Sequence, residues 1–202
     1  MEICRYIRKS RIIGGKDKKM KVDIYNTNNK YNIIYADPPW EYKESGSGNR
    51  VVKAHYNTMS IEDIKNMPIS KIANDTSILF LWITFPRLKQ GLEVIESWGY
   101  KYYGLGFDWV KISKNGNPSW GMGYYTRQNT EICAIGVKED KSKRIKPLVR
   151  NVLSVIHSER REHSRKPDII RNKIVEICGD LPRIELFARQ QVEGWDCWGN
   201  EV

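Results

Sequence analysis

The sequence predicts an α/β fold with a mostly parallel sheet. Two observations predict it. Short apolar runs of buried-strand type, NIIYA at 32–36 and SILFLWIT at 77–84 among them, alternate with stretches of helical spacing. The first of these runs also ends directly on Asp37-Pro38-Pro39-Trp40, and open α/β sheets bind ligands just beyond their strand ends. A chain of 202 residues suits one domain, here 21–202, preceded by a basic arm over 1–20 that ends near Gly14-Gly15.

The elements follow in order. Asn32–Ala36 is a short buried strand, and residues 41–57, with SGSGNR at 45–50, form a polar loop. Ser60 with Asp63 makes a capping box that opens a helix over Ile61–Met67, which Pro68 ends. Ser77–Thr84 is a second buried strand. Arg87–Trp98 has helical spacing in Leu88, Leu92, Ile95 and Glu96 and stops at Gly99. Lys101–Ile112 is aromatic and β-rich, and 113–130 is a long glycine-containing loop. Glu131–Val137 is a strand, 138–150 a basic loop, and Val152–Ile156 a further strand. Pro167 opens a helix that runs to Cys178 with Gly179 behind it, and Arg183–Phe187 is the last strand.

Composition narrows the class. No run of about 18 apolar residues exists to span a membrane, and the N-terminus lacks the apolar core of a secretory signal. Cys4, Cys133, Cys178 and Cys197 are scattered with no Cys-x-x-Cys pair, so no zinc ribbon or redox motif is expected. Reduced thiols in a cytoplasmic protein are the expectation. The histidines 55, 157 and 163 lack metal spacing, and no metal is expected. The net charge of +10 is uneven: residues 1–21 carry +6, residues 138–173 carry +7, and the remainder is acidic. Two basic stretches, seven tryptophans and eleven tyrosines suit a nucleic-acid partner, since cations meet phosphates and aromatic faces stack on bases; a solubility tail and a solvated loop give the same counts.

The tetrapeptide at 37–40 carries the chemistry. Asp37 precedes a proline and is pushed towards an extended conformation, and two prolines stiffen the turn that follows. A carboxylate and a rigid carbonyl are thus held at a strand end. That pair suits methylation of an exocyclic base amine. The amine lone pair is delocalised into the ring; two acceptors, Asp37 and the Pro38 carbonyl, grip its hydrogens and localise the lone pair towards a methyl donor. Trp40 and Tyr56 are candidate faces for a base that has left its stack. A Pro-Pro turn over a buried tryptophan is the structural alternative.

These residues resemble the methyltransferase-A-seventy (MT-A) family of adenine N6-methyltransferases. Beyond DPPW, the segments HYNTMSIEDI (55–64), GYYTRQNTEICAIGVK (123–138), HSRKPDII (163–170) and RIELFARQQVEGWDCWGNE (183–201) are similar to family segments and fall in family order. The resemblance implies a Rossmann-like class I methyltransferase with the catalytic motif before the main cofactor motif. This accounts for the lack of G-x-G-x-x-G after the first strand. It implies S-adenosylmethionine as cofactor, with Asp37, Pro38, Pro39 and Trp40 catalytic. It implies cofactor contacts from Asp23, Ile24, Asp37, Lys166, Glu185, Arg189, Asn200 and Glu201. Lys166, at a helix start, would take the methionine carboxylate. The position two after Arg189 is Gln191, where the mRNA enzyme of the family has histidine, so the ribose contact differs there.

Substrate contacts are expected from Tyr56, Arg127, Arg160, Arg161 and Arg165, the last three at phosphates. Arg127 and Glu131 at i, i+4 are placed to pair. No zinc-finger or target-recognition region lies in the 202 residues, so recognition falls to 41–57, 113–130, 138–166 or a partner chain. The expected substrate is DNA, on grounds of a compact catalytic domain resembling bacterial and phage members. RNA is the alternative, and a non-catalytic nucleic-acid-binding subunit the third; a second copy or a partner methyltransferase subunit is the expected company. Intact Asp37–Trp40 argues against the silent subunit.

Overall fold

The computed structural model describes residues 21–41, 58–162 and 165–202. The basic arm 1–20, most of the 41–57 loop with His55 and Tyr56, and His163 with Ser164 lie outside the described residues. Nine strands and four α-helices occur among the described residues: β1 (Tyr31–Ala36), α1 (Ile61–Lys65), α2 (Ile69–Ile72), β2 (Ala73–Ile83), α3 (Leu88–Ser97), β3 (Lys101–Ile112), β4 (Gly121–Met122), β5 (Arg127–Gln128), β6 (Thr130–Val137), β7 (Val155–Glu159), α4 (Ile169–Cys178), β8 (Arg183–Leu186) and β9 (Asp196–Trp198). Seven form one sheet in the order β7-β3-β6-β2-β1-β8-β9, and β4 and β5 form a separate hairpin. In the large sheet only β6 opposes its neighbours; the other pairings are parallel. The α/β, mostly parallel architecture expected from the sequence is the one observed.

Both faces of the sheet centre are covered. On one face Ile34 and Ala36 of β1 and Leu79, Leu81 and Ile83 of β2 pack with Ile64, Ile69, Val94 and Ile95 of α1, α2 and α3. On the other, Ile33, Tyr35, Phe80 and Trp82 pack with Ile170, Ile174 and Cys178 of α4. This two-sided burial is why NIIYA and SILFLWIT read as continuous apolar runs rather than alternating ones. Three buried indoles find acceptors here: Trp98 donates to the Ile64 carbonyl at 2.8 Å, Trp109 to the Ser158 carbonyl at 3.0 Å, and Trp82 to the Tyr35 hydroxyl at 2.7 Å. Cys133, Cys178 and Cys197 are buried free thiols, and burial pushes Cys178 up to about 12, so it stays an inert thiol. Among the described residues no helix is long and apolar enough to cross a membrane.

Several boundaries move. The Ser60 hydroxyl accepts from the Asp63 N–H at 3.1 Å, as the capping box predicts, but α1 stops at Lys65. Pro68 does more than end it: it stands at the start of the one-turn α2, where a missing N–H costs nothing. The strand expected at Val152–Ile156 is β7, shifted to Val155–Glu159, because an edge strand forms where the β3 backbone from Asp108 onward is free to pair. β9, only three residues long, was too short for a pattern reading.

In α3 the buried face is Gly91, Val94 and Ile95; of the expected stripe Ile95 is buried, Leu92 packs against the core and Leu88 is exposed. Gly91 lies against Ile83: a Cβ there would meet Ile83 side-chain carbons at 2.6–2.8 Å. Ile83 is fully buried and β-branched, so it has little room to turn. Gly91→Ala is therefore expected to destabilise the fold by about 1–3 kcal/mol through overpacking, read as a lower urea midpoint with an unchanged m-value.

Candidate active site

The topology gathers one rim. Six strands of the large sheet run the same way and β6 runs against them, so the C-terminal ends of β1, β3, β7, β8 and β9 meet the N-terminal end of β6. Fully buried Ala36 ends β1, and Asp37 is the first residue beyond it. The turn that follows is tight. The Trp40 N–H donates to the Pro38 carbonyl at 2.9 Å, and the Met59 N–H to the Pro39 carbonyl at 3.0 Å. The Pro38 oxygen keeps a second lone pair for another donor.

Trp40 is placed otherwise than as a base-stacking face. It is 5% exposed, and its indole N–H donates to the Trp82 carbonyl at 3.2 Å. It pins the turn into the core, as the structural alternative of the sequence reading has it.

Lys166 reaches across to Asp37, its Nζ lying 2.8 Å from Oδ1 and 2.9 Å from Oδ2. The same ammonium is 3.1 Å from Glu131 Oε2, and Glu131 Oε1 accepts from Lys111. Asp37, Lys166, Glu131 and Lys111 thus form a row of alternating charge along the rim, with Lys166 and Glu131 under 10% exposed. Burial alone would raise Glu131, but Lys166 and Lys111 outweigh it and hold its carboxyl below the ordinary value. Burial opposes the charge on Lys166, and Asp37 and Glu131 overcome it and hold its pKa up. Asp37 shares its only cation of the row with Glu131, and burial prevails: its carboxyl is raised. Asp37 is therefore the stronger base of the two carboxylates.

The expected pair between Arg127 and Glu131 is not formed. Arg127 is exposed and donates to Met122 Sδ at 3.1 Å, while Glu131 turns to the two lysines. β6 is the reason: its antiparallel entry carries Glu131 inward beside Asp37, and β5 with Arg127 belongs to the separate hairpin. The sequence signal for Glu131 was a charge opening an otherwise apolar strand, and for Lys111 a charge two residues after buried Trp109, on the same strand face.

A second network lies beneath the cleft. Arg171 grips Glu185 with two bonds of 2.7 Å and Asp168 with one of 2.8 Å. Arg161 binds Asp168 at 2.7 Å and the Lys166 carbonyl at 2.6 Å, and Arg165 lies 3.4 Å from Asp168. Arg161 and Arg165, expected at phosphates, are thus committed to Asp168, an acid three residues after Arg165 whose pull the sequence reading did not weigh. Arg160 is exposed, its N–H donating to the Ile112 carbonyl at 2.9 Å. Burial alone would raise Asp168; hydrogen bonds from Arg161 and Arg171 outweigh it and bring it down to about 2. A lowered carboxyl stabilises the fold above its unfolded value, about 3.9, and the contribution is lost as pH falls towards the folded value. Asp168→Asn should therefore flatten the acid limb of stability between about pH 4 and 2, measured as melting temperature against pH.

One cleft is lined by Tyr35, Asp37, Lys166, Glu185, Phe187 and Arg189, together with Arg165, Arg171 and Gln190. Glu185 lines it with both oxygens on Arg171, and burial raises its carboxyl against that pull. Beyond β8, Phe187 has φ +60°, a left-handed conformation that costs a non-glycine residue about 1–2 kcal/mol. Its ring meets Trp198 edge-on at 5.3 Å, and Tyr25 meets Trp198 at 6.3 Å. Arg189 Nε is 3.8 Å from Glu201, beside exposed Asn200. Residues 21 and 22 lie beside β9 through a Lys21–Cys197 bridge and the Val22 N–H to Cys197 carbonyl bond of 3.0 Å, and a turn over 24–26 follows. There Asp23 is exposed and accepts from Asn26 and from the Tyr25 N–H, which lower its pKa, while Ile24 is buried in the core. The structure brings Asp37, Lys166, Glu185 and Arg189 to one cleft and leaves Asp23 and Ile24 at its β9 side.

A family model described as MT-A70 matches residues 31–201. The chain is 32% identical over 191 residues to the type II methyltransferase M.MunI of a Mycoplasma species, covering 86% of this chain and 78% of that one. It is 31% identical over 179 residues to a probable N(6)-adenosine-methyltransferase MT-A70-like of Oryza sativa subsp. japonica, covering 86% and 23%. It is 28% identical over 191 residues to the N(6)-adenine-specific methyltransferase METTL4 of Homo sapiens, covering 89% and 39%. The chain thus spans most of the first relative and well under half of the other two. It belongs to the MT-A70 family and is a methyltransferase.

Proposed function

We propose that this member of the MT-A70 family transfers a methyl group from S-adenosylmethionine to the N6 amine of adenine in DNA, residues 21–202 acting as one catalytic domain. The observation that carries the reading is Asp37, raised in pKa and held at a strand end beside the Pro38 carbonyl in a cleft. The residues suit the cofactor by their chemistry. Asp37 offers a carboxylate to an ammonium, Lys166 and Arg189 offer cations to a carboxylate and hydroxyls, and the Phe187 and Trp198 rings stand beside them. S-adenosylmethionine supplies the electrophilic methyl group.

The chain supplies position and charge. Asp37 and the Pro38 carbonyl each accept one amine hydrogen, which localises the nitrogen lone pair and aims it at the methyl carbon. With S-adenosylmethionine held in the cleft, the amine nitrogen would take its methyl group and the sulfur would keep the electron pair of the bond given up. The nitrogen, now positive, must lose one proton. Asp37 already holds that N–H and is the stronger base of the row, so it takes the proton and passes it to solvent.

DNA is preferred because a relative matched across most of its length is a type II methyltransferase, whereas this chain spans only 23% of the probable N(6)-adenosine-methyltransferase from rice. The test is methyl transfer from labelled S-adenosylmethionine to duplex DNA, single-stranded DNA and RNA, with nucleosides identified by mass spectrometry and Asp37→Ala as control. Methyladenine in DNA that the variant abolishes is the expected result. Label confined to RNA would overturn the substrate, and no label in any pool would overturn activity of this chain by itself.

A further inference from the structure

We propose that the β4–β5 hairpin is a base-stacking element, Tyr124 and Tyr125 at its tip taking the face of an unpaired base next to the target nucleotide. The inference rests on the nucleic-acid reading above and names where the strand is held.

The tip is built to present these rings. Tyr124 and Tyr125 are 95% and 93% exposed, the most exposed aromatic side chains among the described residues, and they meet edge-on at 4.9 Å. A four-residue turn, Gly123 to Thr126, joins β4 to β5. Its shape needs glycine at 123, since a Cβ there would stand 2.2 Å from the Thr126 carbonyl oxygen. Two large aromatic side chains turned fully to water gain nothing from folding. Side by side they form an exposed aromatic patch, the kind of surface that marks an interaction site.

The root ties the tip to the chemistry. The Lys111 N–H donates to the Asn129 carbonyl at 2.7 Å, and the Lys111 carbonyl accepts from the Ser119 N–H at 2.9 Å. One residue therefore holds both legs of the hairpin by its backbone while its ammonium closes the charge row that ends at Asp37. The hairpin rises from the rim where the target base must enter.

Charge selects the occupant. Exposed Arg127 stands on β5 one residue past the tip, Lys114 lies in the leading leg, and Arg160 joins the same strand end through Ile112. Exposed cations thus stand on both legs of the hairpin and at its root, and no acidic residue occurs between Ser113 and Thr130. Aromatic rings among cations match bases among phosphates.

The test is binding without turnover. Short fluorescent single-stranded and duplex oligonucleotides carrying one adenine are titrated with the parent chain, with Tyr124→Ala/Tyr125→Ala and with Tyr124→Phe/Tyr125→Phe, followed by anisotropy with no cofactor present. The alanine pair should weaken binding by about ten- to a hundredfold at an unchanged melting temperature, and the phenylalanine pair should restore it. In turnover the alanine pair should raise KM for nucleic acid and leave KM for S-adenosylmethionine alone. Parent-like binding by the alanine pair would overturn the inference. So would an oligomer that the alanine pair dissociates while nucleic-acid affinity holds, which would make the tip a protein contact. Tyrosine-dependent binding without methyl transfer would keep the stacking element and overturn the activity; methyl transfer indifferent to both tyrosines would do the reverse. A parent chain that binds no oligonucleotide overturns both.

Discussion

Asp37→Asn should lower kcat for methyl transfer by a factor of about 10²–10³ or more, the loss seen when one preorganised hydrogen-bond partner of a reacting group is removed. The substitution keeps shape and one oxygen. It removes the charge that polarises the amine, it turns an NH₂ towards a group that itself donates, and it removes the base for the leaving proton. Three losses fall on one step, so kcat should carry them while nucleic-acid affinity holds. The fold should tolerate the change, because Lys166 keeps Glu131 at 3.1 Å. A melting temperature near that of the parent would separate lost chemistry from lost structure. The pH profile adds a second reading. Burial raises the Asp37 carboxyl, and only the ionised form can accept both the N–H and the proton. Activity should therefore fall on acidification at a pH above the ordinary aspartate value of about 3.9. In Asp37→Asn that limb should vanish from the residual rate. A parent-like kcat in Asp37→Asn would remove the carboxylate from the mechanism.

What was legible in the sequence follows the range of the interactions. β1, β2 and β6 showed as apolar runs because the three-layer fold buries both their faces, and α4 showed between Pro167 and Gly179 because those residues bound it locally. The face of α3 was legible at Ile95 but not at Gly91, which has no side chain to register in an apolar pattern, yet lies directly against Ile83 of β2. β9 has one fully buried residue, Cys197, and no periodicity to find. At the site, Asp37 was legible because its setting is local: a strand, then two prolines. Glu131, with which it shares Lys166, was not, because 94 residues and an antiparallel crossing separate the two carboxylates in the chain. Arg161 and Arg165 looked like free cations in a basic stretch, and the Asp168 that binds both is the acid such a net-charge reading averages away.

Lys166→Met is expected to be the most destabilising single change at the rim, about 3–5 kcal/mol. Methionine matches the stem in length and can fill the space, so the loss is electrostatic rather than a cavity. Without the ammonium, Asp37 has no cation of the row beside it and Glu131 keeps only Lys111, both in a site from which water is largely excluded. The linkage sign separates this cause from simple packing loss. In the variant the folded-state pKa of Asp37 is raised further above its unfolded value, so the folded state binds the extra proton. Stability then falls as pH rises through that pKa. The gap between parent and variant should accordingly narrow from pH 8 to pH 5, measured by urea unfolding at each pH. A gap of constant size would mean that Lys166 acts through packing alone. The double change Lys166→Met with Asp37→Asn removes the unpaired charge along with the cation and should recover part of the loss. It should recover no methyl transfer, because the cation that holds the base and the base itself are then both gone.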